Sequence, residues 1–169
     1  MKQEKCFDNY PIWMVIISNL VSLSVYFIGG FLIYQIGFWW LALYILYILI
    51  LESRLLSKHC VNCYYFGKTC AFGKGRLSAL FFKRGEMAKF TKIKITWKDM
   101  LPDFLIPIIP MVVGVVTLII NFSWLILFLL ILLFILGFLG NSFVRGQLAC
   151  KYCKQREIGC PAQKLFEKK

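Results

Sequence analysis

Two long stretches of this 169-residue chain contain no Asp, Glu, Lys or Arg: residues 9–51 and 104–144. The chain is 60% hydrophobic, whereas an average soluble domain is about 45–50% apolar. A membrane-spanning helix needs about 20 apolar residues, so each stretch has room for two helices and a tight turn. The missing charges therefore argue against a soluble globular domain and predict an all-α integral membrane protein.

Ionisable side chains other than tyrosine are absent from the two charge-free stretches, and the chain has a single histidine, His59. Pumps, proton-coupled carriers and cation channels require such groups at membrane depth. The sequence also lacks a Ser-His-Asp set and a carboxylate pair in an apolar setting. It therefore favours a non-catalytic or electron-transfer component over an enzyme. Polar stripes on the first and third helices favour close helix packing, with a lipid or quinone slot as the alternative.

The four predicted spans form two tandem hairpins. Their predicted ranges are 11–33 and 38–56 in the first hairpin, and 104–120 and 123–144 in the second. All 20 Lys and Arg lie outside the two charge-free stretches, in segments that the hairpins return to one face of the membrane. The positive-inside rule predicts that this face is cytoplasmic. The expected protein crosses the cell membrane several times and has both termini in the cytoplasm.

A cysteine pattern occurs twice. Cys60-x2-Cys63-x6-Cys70, the first frame, recurs as Cys150-x2-Cys153-x6-Cys160, the second frame. Each frame follows one hairpin, so the sequence predicts a tandem repeat of a hairpin and a cytoplasmic three-cysteine segment. The predicted parts are a first repeat in residues 1–70 with its cysteine segment at 59–70, a basic connector at 71–103, and a second repeat at 104–169 with its cysteine segment at 150–160 and a tail.

The spacing within each frame is typical of metal ligation. A Cys-x2-Cys turn lets two thiolates reach one ion, and a third sulfur completes a face of the site. Cytoplasmic cysteine clusters bind metals or act catalytically more often than they form disulfides. The predicted ligands are Cys60, Cys63, Cys70, Cys150, Cys153 and Cys160. Cys6 and His59 are candidate additional ligands, since two tetrahedral sites would need eight.

The identity of the metal separates three hypotheses. Zinc knuckles usually show a fourth ligand close by, and the second frame has none, so the sequence favours iron–sulfur clusters in an electron-transfer subunit or redox adaptor. The alternative is a zinc-stabilised membrane scaffold or assembly protein. A second alternative is a thiol–disulfide oxidoreductase that uses Cys-x2-Cys as its exchange pair. The first two hypotheses predict a protein partner at the cytoplasmic face.

The connector is rich in Lys and Arg, and these cations predict contact with anionic lipid headgroups. Leu77, Leu80 and Phe81 recur at helical spacing, which predicts a short interfacial helix over residues 76–84 with its apolar face in lipid. No nucleic-acid-binding motif accompanies the net charge of +12. The sequence therefore predicts the lipid bilayer, and no nucleic acid, as the partner of these basic residues.

Overall fold

The computed structural model describes residues 6–93 and 96–161, except the side chain of Trp97. These residues are helical wherever they form regular structure, and four helices are long and apolar enough to cross a membrane. The prediction of an all-α protein with four candidate spans is therefore confirmed. The helices are α1 (Ile12–Tyr34), α2 (Phe38–Lys58), α3 (Lys74–Phe81), α4 (Met87–Lys92), α5 (Trp97–Ile120), α6 (Trp124–Phe134), α7 (Asn141–Phe143) and α8 (Gln155–Gly159).

The chain divides into two compact units. The helix unit consists of Leu20–Leu51 and Leu101–Ser142. The cysteine unit consists of the described residues within Met1–Asn19, Glu52–Met100 and Phe143–Lys169. Both frames belong to the cysteine unit, although 90 residues of sequence separate Cys60 from Cys150.

The core of the helix unit is entirely apolar apart from tyrosine. Leu32 and Leu133 are the most deeply buried of these side chains, with 1% and 0% of their surface exposed. Long apolar side chains also cover the outside of this unit, as expected for helices that face lipid. The buried residues that form the core are Val25, Leu32, Ile33, Tyr44, Ile48, Ile106, Ile126, Leu130 and Leu133.

Helix α5 contains three prolines, and one of them is compensated by a tyrosine from α2. Pro110 has no N–H to donate, so the carbonyl of Ile106, four residues earlier, loses its helical partner. The hydroxyl of Tyr44 donates a hydrogen bond to this carbonyl at 3.0 Å. Gly29 leaves the space for the Tyr44 hydroxyl and the Pro110 ring. Residues from three helices therefore combine to give this carbonyl a hydrogen-bond donor, which the hydrocarbon of a bilayer cannot supply.

Helix α5 begins at Trp97, well before the predicted start at residue 104. Its first turn is closed by Asp99, whose carboxylate accepts hydrogen bonds from the N–H of Thr96 at 3.0 Å and from its hydroxyl at 2.7 Å. A carboxylate three residues after a capping Thr resembles a capping box, which stabilises a helix start. The polar residues before the apolar stretch are thus helical too.

The last membrane helix also exceeds its predicted end at residue 144. After α6 the chain continues without a break through two π-helical stretches, Ile135–Gly140 and Val144–Cys150, on either side of α7. The helix therefore ends at Cys150, the first cysteine of the second frame. A short helix close to the predicted range 76–84 is observed as α3, which begins and ends slightly earlier. Its location at a membrane interface stays a prediction.

Two adjacent glycines of α1 provide a test of this packing. A Cβ atom at Gly29 would meet the Tyr44 hydroxyl and lie 3.1 Å from Pro110 Cγ, whereas one at Gly30 would meet only Leu41 Cδ1 at 3.3 Å. We expect Gly29→Ala to destabilise the folded protein by about 1–3 kcal/mol. Gly30→Ala is the matched control, because both substitutions gain the same helix propensity of about 1 kcal/mol.

Thermal unfolding of both variants in detergent measures the difference. Equal midpoints for Gly29→Ala and Gly30→Ala would contradict the close approach of α1 to Tyr44.

Candidate functional site at the cysteine frames

The two frames share two backbone hydrogen bonds, although the first begins with a 3₁₀ turn and the second at the end of a π-helical stretch. In the first frame the N–H of Cys63 donates to the carbonyl of Cys60 at 3.3 Å, and in the second frame Cys153 donates to Cys150 at 3.3 Å. The following turns also match, since the N–H three residues after Cys63 and the one three residues after Cys153 bond back to these cysteines at 3.1 and 3.0 Å. Equal spacing in the sequence is accompanied by equal turns.

The frames are joined by a reciprocal pair of hydrogen bonds. The N–H of Tyr64 donates to Gln155 Oε1 at 2.8 Å, and the N–H of Lys154 donates to the Tyr65 hydroxyl at 3.0 Å. Tyr64 and Lys154 each follow the second cysteine of their frame, and Tyr65 and Gln155 each come one residue later. Tyr65 and Gln155 are both only 2% exposed. Each frame therefore supplies the buried acceptor that the other needs.

The segment before α1 lies against both frames. The N–H of Phe7 donates to the Tyr152 carbonyl at 3.0 Å and forms an isolated parallel bridge with Cys153. The Phe7 carbonyl accepts a hydrogen bond from the Tyr65 hydroxyl at 2.6 Å. The Tyr65 hydroxyl thus bonds to the N-terminal segment and to the second frame at once, which fixes all three segments around one side chain.

Asp8 repeats this bridging role at the surface. Its carboxylate accepts a hydrogen bond from the Tyr64 hydroxyl at 2.6 Å and pairs with Lys154 Nζ at 2.6 Å. These partners occupy equivalent positions, directly after the second cysteine of each frame. The hydrogen bonds from Lys154 and Tyr64 lower the pKa of Asp8. Because Asp8 is exposed, this pair aligns the frames more than it stabilises them.

An aromatic cluster lies between the frames, and Tyr10 is its most constrained member. Its N–H donates to the Thr69 carbonyl at 2.9 Å and its hydroxyl to the Ala149 carbonyl, so it contacts residues next to both frames. Burial raises the pKa of Tyr10. The buried members of the cluster are Tyr10, Met14, Tyr65, Ala71 and Ala149.

The thiols of Cys63 and Cys153 lie at the edge of this cluster. Burial raises the pKa of Cys63, and negative charge on Cys70 or Cys160 would raise it further. Burial also raises the pKa of Cys153 to about 12, with added repulsion from Cys63 and Cys160. The N–H groups of neighbouring residues point at both sulfurs and act in the opposite direction. The thiols of the two frames are thus close enough to influence one another.

Cys70, the third cysteine of the first frame, lies next to the start of α3. Cys70 Sγ accepts a hydrogen bond from the N–H of Gly75 at 3.4 Å. All seven cysteines are free of disulfides. Within the described ranges, no three Cys, His, Asp or Glu side chains are placed to hold one metal ion.

The two candidate additional ligands, Cys6 and His59, have different neighbours. The Cys6 thiol forms a hydrogen bond with Glu157 of α8, and burial raises its pKa. His59 directly precedes the 3₁₀ turn Cys60–Asn62 and interacts electrostatically with Asp99. Cys6 is therefore a neighbour of the second cysteine segment, whereas His59 faces the start of α5.

The sequence analysis missed the residues that join the frames. Tyr65 and Gln155 occupy the same position after the second cysteine, but they differ in type, so a search for identical residues does not pair them. A shared property could have paired Tyr65 with Gln155, because both side chains are large and both carry an oxygen that can accept a hydrogen bond. Asp8 and Tyr10 gave no signal, because their partners lie far away in the sequence.

Gln155→Ala tests the reciprocal hydrogen bonds. The substitution leaves the N–H of Tyr64 buried without its acceptor, so we expect a loss of about 1–3 kcal/mol in the free energy of unfolding of the cysteine unit. Gln147→Ala removes an exposed glutamine from the same part of the chain and should change stability little. Chemical denaturation, followed by near-ultraviolet circular dichroism of the tyrosines, measures the free energy of unfolding of both variants. Equal losses of this free energy would argue against the hydrogen bond from Tyr64 to Gln155.

The raised thiol pKa predicts a pH dependence for chelator-treated protein. An unfolded cysteine ionises near its ordinary value of 9.0, whereas buried Cys153 stays neutral until about 12. Its contribution to stability is therefore complete below pH 9 and is lost as the pH rises toward 12.

Alkaline unfolding of the unmodified chain and of Cys153→Ala measures this contribution. The variant should lose stability less steeply over that range, by up to about 1.4 kcal/mol per pH unit. Parallel curves would contradict the burial of this thiol.

Known proteins give this chain no relative from which a function could be transferred. No protein-family model, no curated protein and no solved structure matches it. Its function must therefore be argued from its own residues.

Proposed function

We propose that this is a membrane-bound electron-transfer subunit or redox adaptor whose two cysteine frames bind iron–sulfur clusters. The observation that carries the proposal is the joining of the two frames through equivalent residues, with Tyr65 and Gln155 exchanging acceptors across the repeat. Two cysteine segments with unrelated roles would not be expected to form hydrogen bonds through equivalent residues. Two copies of one site would be expected to, because both copies must present their thiols in the same way.

The electrostatics of the thiols favour a bound cation. Buried thiols that raise one another's pKa cannot ionise together unless a positive charge compensates them. Binding would require the sulfurs of a frame to turn toward a common ion and release their protons. The ligands would be Cys60, Cys63, Cys70, Cys150, Cys153 and Cys160. The bound cluster would supply one-electron chemistry, with its potential adjusted by burial and by the N–H groups that point at sulfur.

The same electrostatics argue against thiol–disulfide exchange. An attacking thiol needs a substantial thiolate fraction at ambient pH, which requires a lowered pKa. Burial moves the pKa of Cys63 and Cys153 in the opposite direction.

A zinc-stabilised scaffold is the second candidate, and the packing around the frames weighs against it. Structural zinc commonly replaces a core that a small segment cannot build. Here the frames pack on the aromatic cluster around Tyr10 and Tyr65, so the segments have a core of their own. A metal in this setting is better explained by a redox role, which implies a protein partner that exchanges electrons with it.

The location of the frames follows from the charge distribution. We place the protein in the cell membrane as two tandem hairpins, with both termini and both frames on the cytoplasmic side. The support for this topology is that every Lys and Arg lies outside the apolar stretches at residues 9–51 and 104–144. A cytoplasmic position would keep the thiols reduced and accessible to a redox partner.

Metal content and a visible spectrum test the proposal on protein purified without oxygen. We expect iron together with acid-labile sulfide, and a visible thiolate-to-iron absorption that weakens on reduction. Cys63→Ser combined with Cys153→Ser should remove most of the iron. Gln147→Ala leaves every cysteine in place and should retain the iron.

Three results would overturn the assignment. Colourless protein containing zinc would replace it with the scaffold function. Metal-free protein with reversible disulfides would indicate thiol exchange. Iron retained by the double variant would show that the frames are not the ligands.

A further inference from the structure

Helix α3 has one face fixed against the backbone of its neighbours. Ser78 is fully buried, and its hydroxyl donates to the Leu56 carbonyl of α2 at 3.2 Å. A Cβ atom at Gly75 would overlap the Tyr65 carbonyl oxygen and lie 2.6 Å from that of Lys68. The inner face therefore consists of small residues in close contact with main-chain atoms. The helix cannot rotate to exchange its faces without breaking these contacts.

The opposite face of α3 presents large apolar side chains. Leu80 is 79% exposed and Phe81 is 70% exposed, with Leu77 beside them at 43%. Phe82 follows directly and is 37% exposed. Water is a poor environment for a contiguous apolar surface of this kind, which in soluble proteins usually marks a binding surface.

Cations border this apolar face. Arg76, Lys83 and Arg84 are exposed, and residues 74–85 contain no Asp or Glu. The other cation of this segment, Lys74, is used internally, since it pairs with Glu52 at 2.6 Å. An apolar face flanked by Arg76, Lys83 and Arg84 complements a surface that is itself apolar and anionic.

The contacts of α3 place it beside the end of a candidate membrane span. Glu52 and Leu56, which bind Lys74 and Ser78, belong to the last turns of α2. The candidate span that contains α2 runs from Phe38 to Asn62. If that candidate span crosses a membrane, a helix held at its last turns would lie where the span leaves the hydrocarbon core.

We infer that α3 is an interfacial helix that binds anionic phospholipid. Leu77, Leu80 and Phe81 insert into the acyl boundary, and Arg76, Lys83 and Arg84 bind lipid phosphates. A soluble protein partner would need an acidic, apolar surface that also fits beside the membrane. The bilayer offers both properties at this position, and each cation near an anionic surface strengthens such binding.

Photo-crosslinking in nanodiscs tests this inference on the full chain. Leu80 is replaced by p-benzoylphenylalanine, and the protein is irradiated in discs of phosphatidylcholine with or without phosphatidylglycerol. We expect lipid adducts at this position, identified by peptide mass. Glu86 lies outside α3 and is exposed, so the same replacement there is the matched control and should give few adducts. Replacement of Leu77 provides a second position on the apolar face.

The role of the cations is measured in the mixed discs. The ratio of phosphatidylglycerol to phosphatidylcholine adducts at position 80 should exceed the ratio of the two lipids in the disc several-fold. Lys83→Gln combined with Arg84→Gln should return it to the bulk ratio. Lys89→Gln combined with Lys92→Gln changes the same charge on α4 and should leave it unchanged.

The inference fails if neither position on α3 gives lipid adducts, or if the adducts join two protein chains instead. It also fails if Glu86 and Leu80 label equally. An adduct ratio equal to the bulk lipid ratio in the unmodified chain would overturn the anionic preference. These outcomes do not depend on metal content, so they are separate from the test of the cysteine frames.

Discussion

The structure depends on one constraint: a backbone N–H or C=O that is removed from water must find a partner. Both units meet it with side chains from distant parts of the sequence. In the helix unit the carbonyl of Ile106, freed by Pro110, accepts the hydroxyl of Tyr44. In the cysteine unit the N–H groups of Tyr64 and Lys154 find their acceptors in the opposite frame. The same requirement therefore sets the helix packing and brings the frames together.

The existence of the membrane helices could be predicted because it depends on local composition. Residues 9–51 and 104–144 carry no charge, and length alone then implies two spans in each stretch. The ends of the helices were harder to predict, since charge does not mark them. Helix α5 extends to Trp97 because Thr96 and Asp99 cap it, and this cap lies in a polar stretch that hydropathy ignores. The last helix likewise continues past Arg145, where the charge-free stretch ends, through the π-helical turns to Cys150.

The candidate site was only partly accessible from the sequence. The spacing of the six cysteines identified both frames, because ligation from a tight turn imposes a local pattern. The joining of the frames depends instead on Tyr65, Gln155 and Asp8, whose partners are dozens of residues away. Such contacts leave no local pattern in a single sequence. The duplicated spacing suggested a shared role, and the reciprocal hydrogen bonds supply a physical connection that the spacing could not specify.

The π-helical stretch Val144–Cys150 has a consequence for how this chain can vary. Val144 and Ala149 are both buried although five residues separate them, which suits the wider turn of a π-helix. A π-helical hydrogen bond spans one residue more than an α-helical one, so this stretch accommodates an extra residue within the helix. Deleting one residue here would restore ordinary α-helical turns and leave Cys150 at nearly the same angle relative to Val144. The orientation of the first sulfur in the second frame therefore tolerates the loss of one residue from the helix that precedes it.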